Sequence, residues 1–326
     1  MITAGSVRTV RGDLPAADLG RVDYHEHLFQ ISPLLPGDEL DDEALSQAEA
    51  LGLRHSGFAA MVDATPTGLG RRPVAVARIS AGTDLTVVAS TGAHREPHYA
   101  SGHWLLEMSQ TELARRFVAD VLDGMPQQDG AGLDEAAYGP DGPVRAGVVK
   151  AGIGYWSMSA FERRVLAAVA DTHLRTGAAV MVHLEHGSAA FEVLAELGRL
   201  GVPATAVALA HIDRNPDPGL HAELAGVGCY LGYDGFARTQ RGPDSVLLEC
   251  LCRAAELGAA ERLLLGGDVA RATRYRSYGG MPGLAYLGER VIPRLARQCS
   301  AELVDAVLVS NPARWLSGGR PDERQP

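Results

Sequence analysis

Eight short segments rich in apolar residues recur along the chain. Such segments are typical of buried parallel strands, because a strand covered on both faces does not alternate apolar with polar positions. The predicted strands are residues 20–25, 58–64, 84–90, 144–150, 178–183, 205–211, 227–233 and 262–267. Helical patterns separate most of them; between residues 157 and 177, apolar positions recur every three or four residues and Gly177 ends the pattern. Strand and helix repeated eight times predict an α/β fold, a (β/α)8 TIM barrel of parallel strands.

The length and composition are consistent with one large core. Of 326 residues, 46% are apolar, so residues 1–326 are predicted to form a single barrel domain. Residues 1–20 are predicted to contain a hairpin that caps the barrel bottom, and residues 318–326 to be a frayed tail. The long connection 91–143 is expected to lie near the mouth of the barrel or to form a mobile surface loop.

Charge and cysteine content restrict the partners and the location. The net charge of −10 argues against nucleic acid or an anionic membrane as partner. No apolar run approaches the roughly 18 residues of a membrane helix, and the amino terminus has no apolar signal core. The four cysteines have no CxxC spacing, so no disulfide framework is expected. A cytoplasmic location is the expectation.

Polar residues end several of the predicted strands, where a barrel of this type places its catalytic groups. His25 and His27 are two residues apart, so on a strand both imidazoles face the same side and can reach one divalent ion. Such a pair alone could equally be core histidines satisfied by hydrogen bonds. Later strands, however, end in His183, His211 and Asp268. Because a core would not collect four histidines and a carboxylate at one rim without a cation, the sequence predicts a metal site.

Lys150 also ends a predicted strand at this rim. An ammonium group would be repelled by a divalent ion and is costly to bury. If the neutral amine takes up CO₂, the resulting carbamate is a carboxylate that can bind two ions at once. The alternative is a structural lysine paired with an acid inside the barrel. We therefore predict two divalent ions, zinc first and manganese second, with carboxylated Lys150 between them.

The chain resembles the phosphotriesterase family of the amidohydrolase superfamily. The resemblance runs nearly from end to end, through HEHL, the lysine of the fourth strand, the later histidines and aspartate, VIPRL and NPARWL. It implies the following ligands: His25, His27 and Asp268 for the more buried ion, His183 and His211 for the more exposed one, and carboxylated Lys150 as the bridge.

Three loop segments narrow the expected substrate. KAGIGY, HIDRNPDP and GGDVARATRYRSYGGMPGL resemble the family branch that hydrolyses sugar lactones, including phosphorylated aldono-1,4-lactones. The implied reaction is attack of a metal-bridging hydroxide on the lactone carbonyl, with Asp268 as the catalytic proton carrier. The alternatives are a phosphotriesterase, an acyl-homoserine lactonase or an amide hydrolase with the same site, or a binding protein without turnover. The predicted partner is a small-molecule lactone, and a homodimer is left open.

Basic and aromatic residues of the last two loops are the predicted substrate contacts, because these loops of a barrel frequently bind phosphate. They are Arg271, Arg274, Tyr275, Arg238 and Arg241. The alternative for each arginine is a solvent-exposed position at the barrel rim without substrate contact. Tyr155 is predicted to contact the lactone or to pack over the rim. The remaining predictions are substrate contact for His94, His98 and His186, orientation of metal ligands by Asp63 and Asp213, and surface positions for His55, His173 and His221.

Overall fold

The computed structural model describes residues 1–130, 132 and 135–318, so the predicted tail, apart from Gly318, lies outside the described residues. The strands are β1 (Ser6–Thr9), β2 (Gly12–Pro15), β3 (Val22–Glu26), β4 (Ala60–Asp63), β5 (Thr86–Gly92), β6 (Tyr138–Gly139), β7 (Gly142–Pro143), β8 (Ala146–Ile153), β9 (Ala179–Leu184), β10 (Val207–Ala210), β11 (Tyr230–Tyr233) and β12 (Leu263–Leu265). The α-helices are α1 (Glu43–His55), α2 (Pro73–Thr83), α3 (Trp104–Glu107), α4 (Gln110–Leu122), α5 (Ala160–Thr176), α6 (Ala190–Arg199), α7 (Pro218–Val227), α8 (Asp244–Ala254), α9 (Ile292–Gln298), α10 (Ala301–Asp305) and α11 (Asn311–Leu316).

Eight of the strands form one parallel sheet that is nearly closed. Its order is β12-β11-β10-β9-β8-β5-β4-β3, so each strand pairs with its neighbour along the chain once the short β6 and β7 are left aside. At the seam between the first and last strands, the amide of Asp268 donates to the carbonyl of His25 at 2.8 Å. Helices lie between successive strands, and the predicted (β/α)8 barrel is confirmed.

An antiparallel hairpin of β1 and β2 lies against the amino-terminal part of the barrel. Ser6 pairs with Pro15 and Thr9 with Gly12. The amide of Val10 donates to the carbonyl of Val87, at the start of β5, at 3.0 Å. The hairpin therefore lies at the end of the strands opposite to the polar residues described below.

Local sequence explains the ends of the helices that position the strands. The hydroxyl of Ser159 accepts from the amide of Glu162, and the Glu162 carboxylate accepts from the amide of Ser159, so a capping box starts α5. Gly177 ends α5 in the left-handed region at φ 77°. At the rim, a Cβ on Gly92 would lie 2.0 Å from the carbonyl oxygen of Lys150, so only glycine lets β5 and β8 approach there.

Three expectations about cysteines and histidines are wrong. Cys252 and Cys299 form a disulfide, although they are 47 residues apart and nothing in their spacing indicates the pair. His173 and His221 are buried, because their ring nitrogens find partners inside the fold. His173 Nδ1 contacts the carbonyl of Ala178 at 2.8 Å, and His221 bonds the Tyr233 hydroxyl and backbone carbonyls. His55 is exposed as expected.

Among the described residues, no helix combines the length and the apolar character needed to cross a membrane.

Candidate active site

A cavity of about 710 Å³ opens at the carboxyl ends of the barrel strands. Its wall includes all six residues predicted as metal ligands: His25, His27, Lys150, His183, His211 and Asp268. All six are buried. The structure therefore brings together side chains that are up to 243 residues apart in the chain, as the parallel barrel predicts.

Asp234, directly after β11, orients two of the imidazoles. His25 Nδ1 lies 3.0 Å from one carboxylate oxygen of Asp234, and His211 Nδ1 lies 2.6 Å from the other. The Tyr24 hydroxyl also donates to Asp234, and it reaches the carboxylate because Gly232 has no side chain where the Tyr24 ring lies. Since a carboxylate accepts at these distances, Nδ1 of both histidines carries the proton, and Nε2 keeps its lone pair.

His27 and His183 are oriented in the same manner by other acceptors. The Thr65 hydroxyl donates to the Phe29 carbonyl, so it accepts from His27 Nδ1 at 2.8 Å, which leaves the lone pair on Nε2. His183 is reversed, with its Nε2 bonded to Glu185 at 3.2 Å. Its buried Nδ1 has no hydrogen-bond partner among the described residues, as expected of a nitrogen reserved for another ligand.

The ligand atoms lie close enough to share ions. One donor atom each from His25, His211 and Asp268 lie within 4.8 Å of one another. Asp268 Oδ1 lies 3.6 Å from Nε2 of both His25 and His27, and the His183 and His211 ring centroids are 4.4 Å apart. Burial lowers the pKa of His27 and of His211 to about 3, so both imidazoles are neutral near pH 7. Neutral imidazoles and a carboxylate are a donor set that fits borderline divalent ions.

Lys150 is fully inside this cluster. Its Nζ donates to the carbonyl of Ala64 at 2.9 Å and lies 3.5 Å from His25 Nε2. Burial lowers the pKa of the amine to about 8. A larger fraction of the amine is therefore neutral near pH 7 than for an exposed lysine, and the neutral amine is the form that can take up CO₂.

Asp268 is an ionised carboxylate held from its outer side by two arginines. Burial alone would raise the pKa of Asp268, but the charge of Arg238 is the largest of the opposing effects that hold it well below the ordinary value. Arg238 donates to the carboxylate, and Arg214 reaches the same oxygen at 3.4 Å. One carboxylate oxygen thus faces the histidines and the other faces the guanidinium groups.

Four of the predicted substrate contacts line the cavity and two do not. Arg238, Arg241, Arg271 and Arg274 are part of its wall. Tyr275 as a substrate contact is wrong, because its ring is fully buried and its hydroxyl donates to the carbonyl of His27. Tyr155 lies in the wall of a neighbouring cavity instead.

The other predicted site residues also differ in whether they line the cavity. His94 and His98 line the cavity with ring centroids 3.6 Å apart, whereas His186 lines the neighbouring cavity. Asp63 and Asp213 do not contact the histidines directly. Asp63 accepts from the amide of Thr65 at 3.1 Å, and Asp213 accepts from the amide of Asp234 at 2.9 Å. Each therefore supports a residue that does contact a histidine.

Sequence reasoning missed five residues of the site. They are Thr65, Arg95, Glu185, Arg214 and Asp234. Asp234 offered a usable signal, since it follows the apolar run of the seventh strand as the other ligands follow theirs. Glu185 offered a weaker one, being two residues beyond His183; its contacts with Arg95 at 2.6 Å and Arg214 at 3.9 Å depend on three separate loops.

A (β/α)8 barrel with four oriented imidazoles, a carboxylate and a buried lysine at its carboxyl rim has the donor groups that a metal-dependent hydrolase would need. Sequence comparison identifies the family: the profile of the Phosphotriesterase family matches residues 5–316. The chain belongs to the phosphotriesterase family, whose members are metal-dependent hydrolases.

Individual relatives agree with this membership. A phospho-furanose lactonase of Mycoplasmopsis agalactiae is 30% identical, and the match covers 97% of this chain and 92% of that protein. The solved structure of an amidohydrolase from Mycoplasma synoviae has a TM-score of 0.89 at 28% identity, over 99% of this chain and 94% of that one. A lactonase from Listeria monocytogenes has a TM-score of 0.83 at 28% identity, over 95% of this chain and 98% of that one. This chain is a hydrolytic enzyme of the lactonase or phosphotriesterase-like type.

Proposed function

We propose that this enzyme opens sugar lactones and that its preferred substrate is a phosphorylated aldono-1,4-lactone. The observation that carries the proposal is the charge of the cavity wall. Six arginines and only two carboxylates line the cavity that holds the metal-ligand cluster, in a chain whose net charge is −10. A cationic wall in an acidic protein favours an anionic substrate.

The arginines of the last two loops are the side chains that would hold the phosphate. Arg274 donates to two backbone carbonyls, of Phe236 at 3.1 Å and of Asp268 at 3.4 Å. Burial is the main cause of the lowered pKa of Arg241, and the positive charges of Arg214 and Arg238 lower it further. A phosphate monoester would relieve this repulsion and accept several guanidinium hydrogen bonds.

The metal chemistry is also part of the proposal. We infer two divalent ions, zinc or alternatively manganese, with Lys150 carboxylated at Nζ as their shared ligand. When bound, the ions supply a water nucleophile of lowered pKa and draw electrons from the lactone carbonyl. Asp268 takes a proton from the attacking water and returns it to the ring oxygen as the carbon–oxygen bond of the ring breaks. The product is the open hydroxy acid.

The relatives support the same substrate class. The protein from Mycoplasmopsis agalactiae is named a phospho-furanose lactonase, and the Listeria protein is named a lactonase. A triester or an acyl-homoserine lactone carries no phosphate monoester, so neither would use the cationic wall.

The test compares one aldono-1,4-lactone with its phosphate ester. Proton release by the metal-loaded enzyme is measured with a pH indicator, and a chromogenic organophosphate triester and an acyl-homoserine lactone serve as competing substrates. We expect the phosphorylated lactone to have the highest kcat/KM. Equal values for the two aldonolactones would refute the phosphate site, and faster turnover of the triester would refute the lactonase assignment.

Arg271 and Arg276 offer a matched pair of variants. Both side chains are 51% exposed and each pairs with one carboxylate, but Arg271 lines the cavity and Arg276 does not. We expect Arg271→Met to reduce the preference for the phosphorylated lactone by about 10-fold, a discounted value for a charge-assisted contact at an exposed site. Arg276→Met should leave the preference unchanged.

A further inference from the structure

A second cavity, of about 720 Å³, adjoins the first at the barrel rim. Glu185 and Arg214 line both cavities. Arg214 Nη1 lies 3.9 Å from Glu185 Oε1, so these two side chains form the partition between the cavities. A small molecule that reaches from the first cavity into the second must therefore pass over this pair.

Exposed aromatic side chains line the second cavity. Tyr155 is 61% exposed, Trp156 62% and Phe191 41%, although large aromatic residues are usually buried. The Tyr155 ring meets the His186 ring edge to face, with centroids 5.7 Å apart. These rings come from the loop after β8, the loop after β9 and the start of α6, and together they give the second cavity an aromatic wall.

The backbone around this cavity is held in uncommon conformations. Trp156, His186 and Ala189 all have positive φ, at 46°, 56° and 60°. Non-glycine residues rarely adopt such angles, and they are found most often at binding and active sites. The Trp156 amide donates to Ser188 Oγ at 3.1 Å, and this hydroxyl donates to the Glu185 carbonyl at 2.7 Å. The conformation of Trp156 is thus tied to the residue that borders the catalytic cavity.

The polar part of the wall decides the chemistry of the ligand. Glu185 and Glu192 line this cavity, and Arg214 already lies against Glu185 and Asp268, so a second anion would be repelled. An alkyl chain would remove these polar groups and Asn215 from water without giving hydrogen bonds in return. A ring with hydroxyl groups fits both the polar and the aromatic parts of the wall. Its hydroxyls bond the polar groups, and its C–H faces pack on the aromatic rings.

We propose that the second cavity is a subsite for an uncharged sugar ring that is attached to the lactone. The proposal rests on the proposed function, because the ring is carried by the lactone that the first cavity holds. The substrate class then becomes lactones that bear a further glycosyl unit, with that unit packed on Tyr155, Trp156 and Phe191.

The kinetic test uses the aldono-1,4-lactones of gentiobiose and melibiose, whose 1→6 linkages leave O4 free to close the lactone ring, with the 1,4-lactone of gluconic acid as the single-ring reference. We expect at least one disaccharide lactone to have the higher kcat/KM. Trp156→Ala should remove about 3- to 10-fold of that preference, as expected for one aromatic contact, and leave the single-ring lactone unaffected. Tyr138→Ala is the control, since Tyr138 is 67% exposed and lines neither cavity.

A binding measurement separates this proposal from the lactonase assignment. Of the three tryptophans, Trp315 is buried, Trp104 lines neither cavity and Trp156 lines the second cavity, so gentiobionate and melibionate should change the Trp156 fluorescence while gluconate does not. Phe191→Ala should weaken this binding. If the disaccharide acids bind but no lactone is hydrolysed, the result would support the subsite and refute the proposed function.

Two results would overturn the subsite. The first is hydrolysis of all lactones with no preference for the second ring and no change in fluorescence. The second is a concentration-dependent dimer that Trp156→Ala converts to a monomer, which would show that the aromatic rings bind a second copy of the chain.

Discussion

Asp234→Asn isolates the residue that orients two of the four imidazoles. The Asp234 carboxylate accepts from His25 Nδ1, His211 Nδ1 and the Tyr24 hydroxyl. Burial alone would raise the pKa of Asp234, but His211 and His25 hold it well below the ordinary value, so the group is ionised. Asparagine keeps the shape, removes the charge and replaces one acceptor oxygen by an NH₂ group.

The expected effect is on metal affinity. An amide nitrogen cannot accept from a ring N–H, so one of the two histidines must change its tautomer or turn its ring, and its Nε2 lone pair is then lost to the metal. Loss of such a supporting contact typically costs about 10- to 100-fold in metal affinity. We expect a fall of that size for zinc, measured by competition with a chromophoric chelator, a readout that does not depend on turnover.

Asp120→Asn is the control for the loss of a buried carboxylate. Asp120 is buried, pairs with Arg71 at 2.9 Å and lies outside the cavity wall. The Asp120→Asn substitution should lower the melting temperature and leave zinc affinity unchanged. Zinc affinity of Asp234→Asn equal to that of the unmodified protein would refute the orienting role.

Three further predictions follow from the same cluster. Lys150→Ala should lose at least one metal equivalent and nearly all turnover, with partial recovery on adding a short carboxylic acid; retention of both metals would argue against the bridging role. Asp268→Asn should fold but lose turnover by about 10²- to 10⁴-fold with a smaller change in KM, and near-normal turnover would assign the proton to another group. In the metal-free protein the pKa of His27 and His211 is lowered from 6.5 to about 3. As the pH falls below 6.5 the unfolded chain takes up these protons first, so each of these histidines lowers the free energy of unfolding between pH 6.5 and 3. The contribution is measured with urea as the difference between the unmodified protein and His27→Gln or His211→Gln.

The barrel could be predicted because its strands are buried on both faces and so appear as separate apolar runs. The observed strand boundaries differ from the predicted ones where the end of a helix overlaps the apolar run. Residues 227–233 are predicted as one strand, for example, but Val227 ends α7 and Gly228 adopts φ 108°, so β11 begins only at Tyr230. Apolar character cannot distinguish the last turn of a helix from the start of a strand.

The metal-ligand cluster could be predicted because each member occupies the same place on its own strand, so the fold brings the members together. Partners that come from unrelated loops could not be predicted. Tyr275 lies next to Arg274 in the chain, yet its hydroxyl reaches the His27 carbonyl, whereas Arg274 lines the cavity. The Cys252–Cys299 disulfide likewise depends on how the ends of two distant segments pack.

Anomalous diffraction from crystals of the zinc-loaded enzyme tests directly whether the site holds two ions. We expect two anomalous peaks, one beside His25, His27 and Asp268 and one beside His183 and His211. Density between the peaks should extend beyond Lys150 Nζ as a carbamate. A single peak would contradict the binuclear site, and an unmodified lysine between two occupied positions would contradict the carbamate bridge.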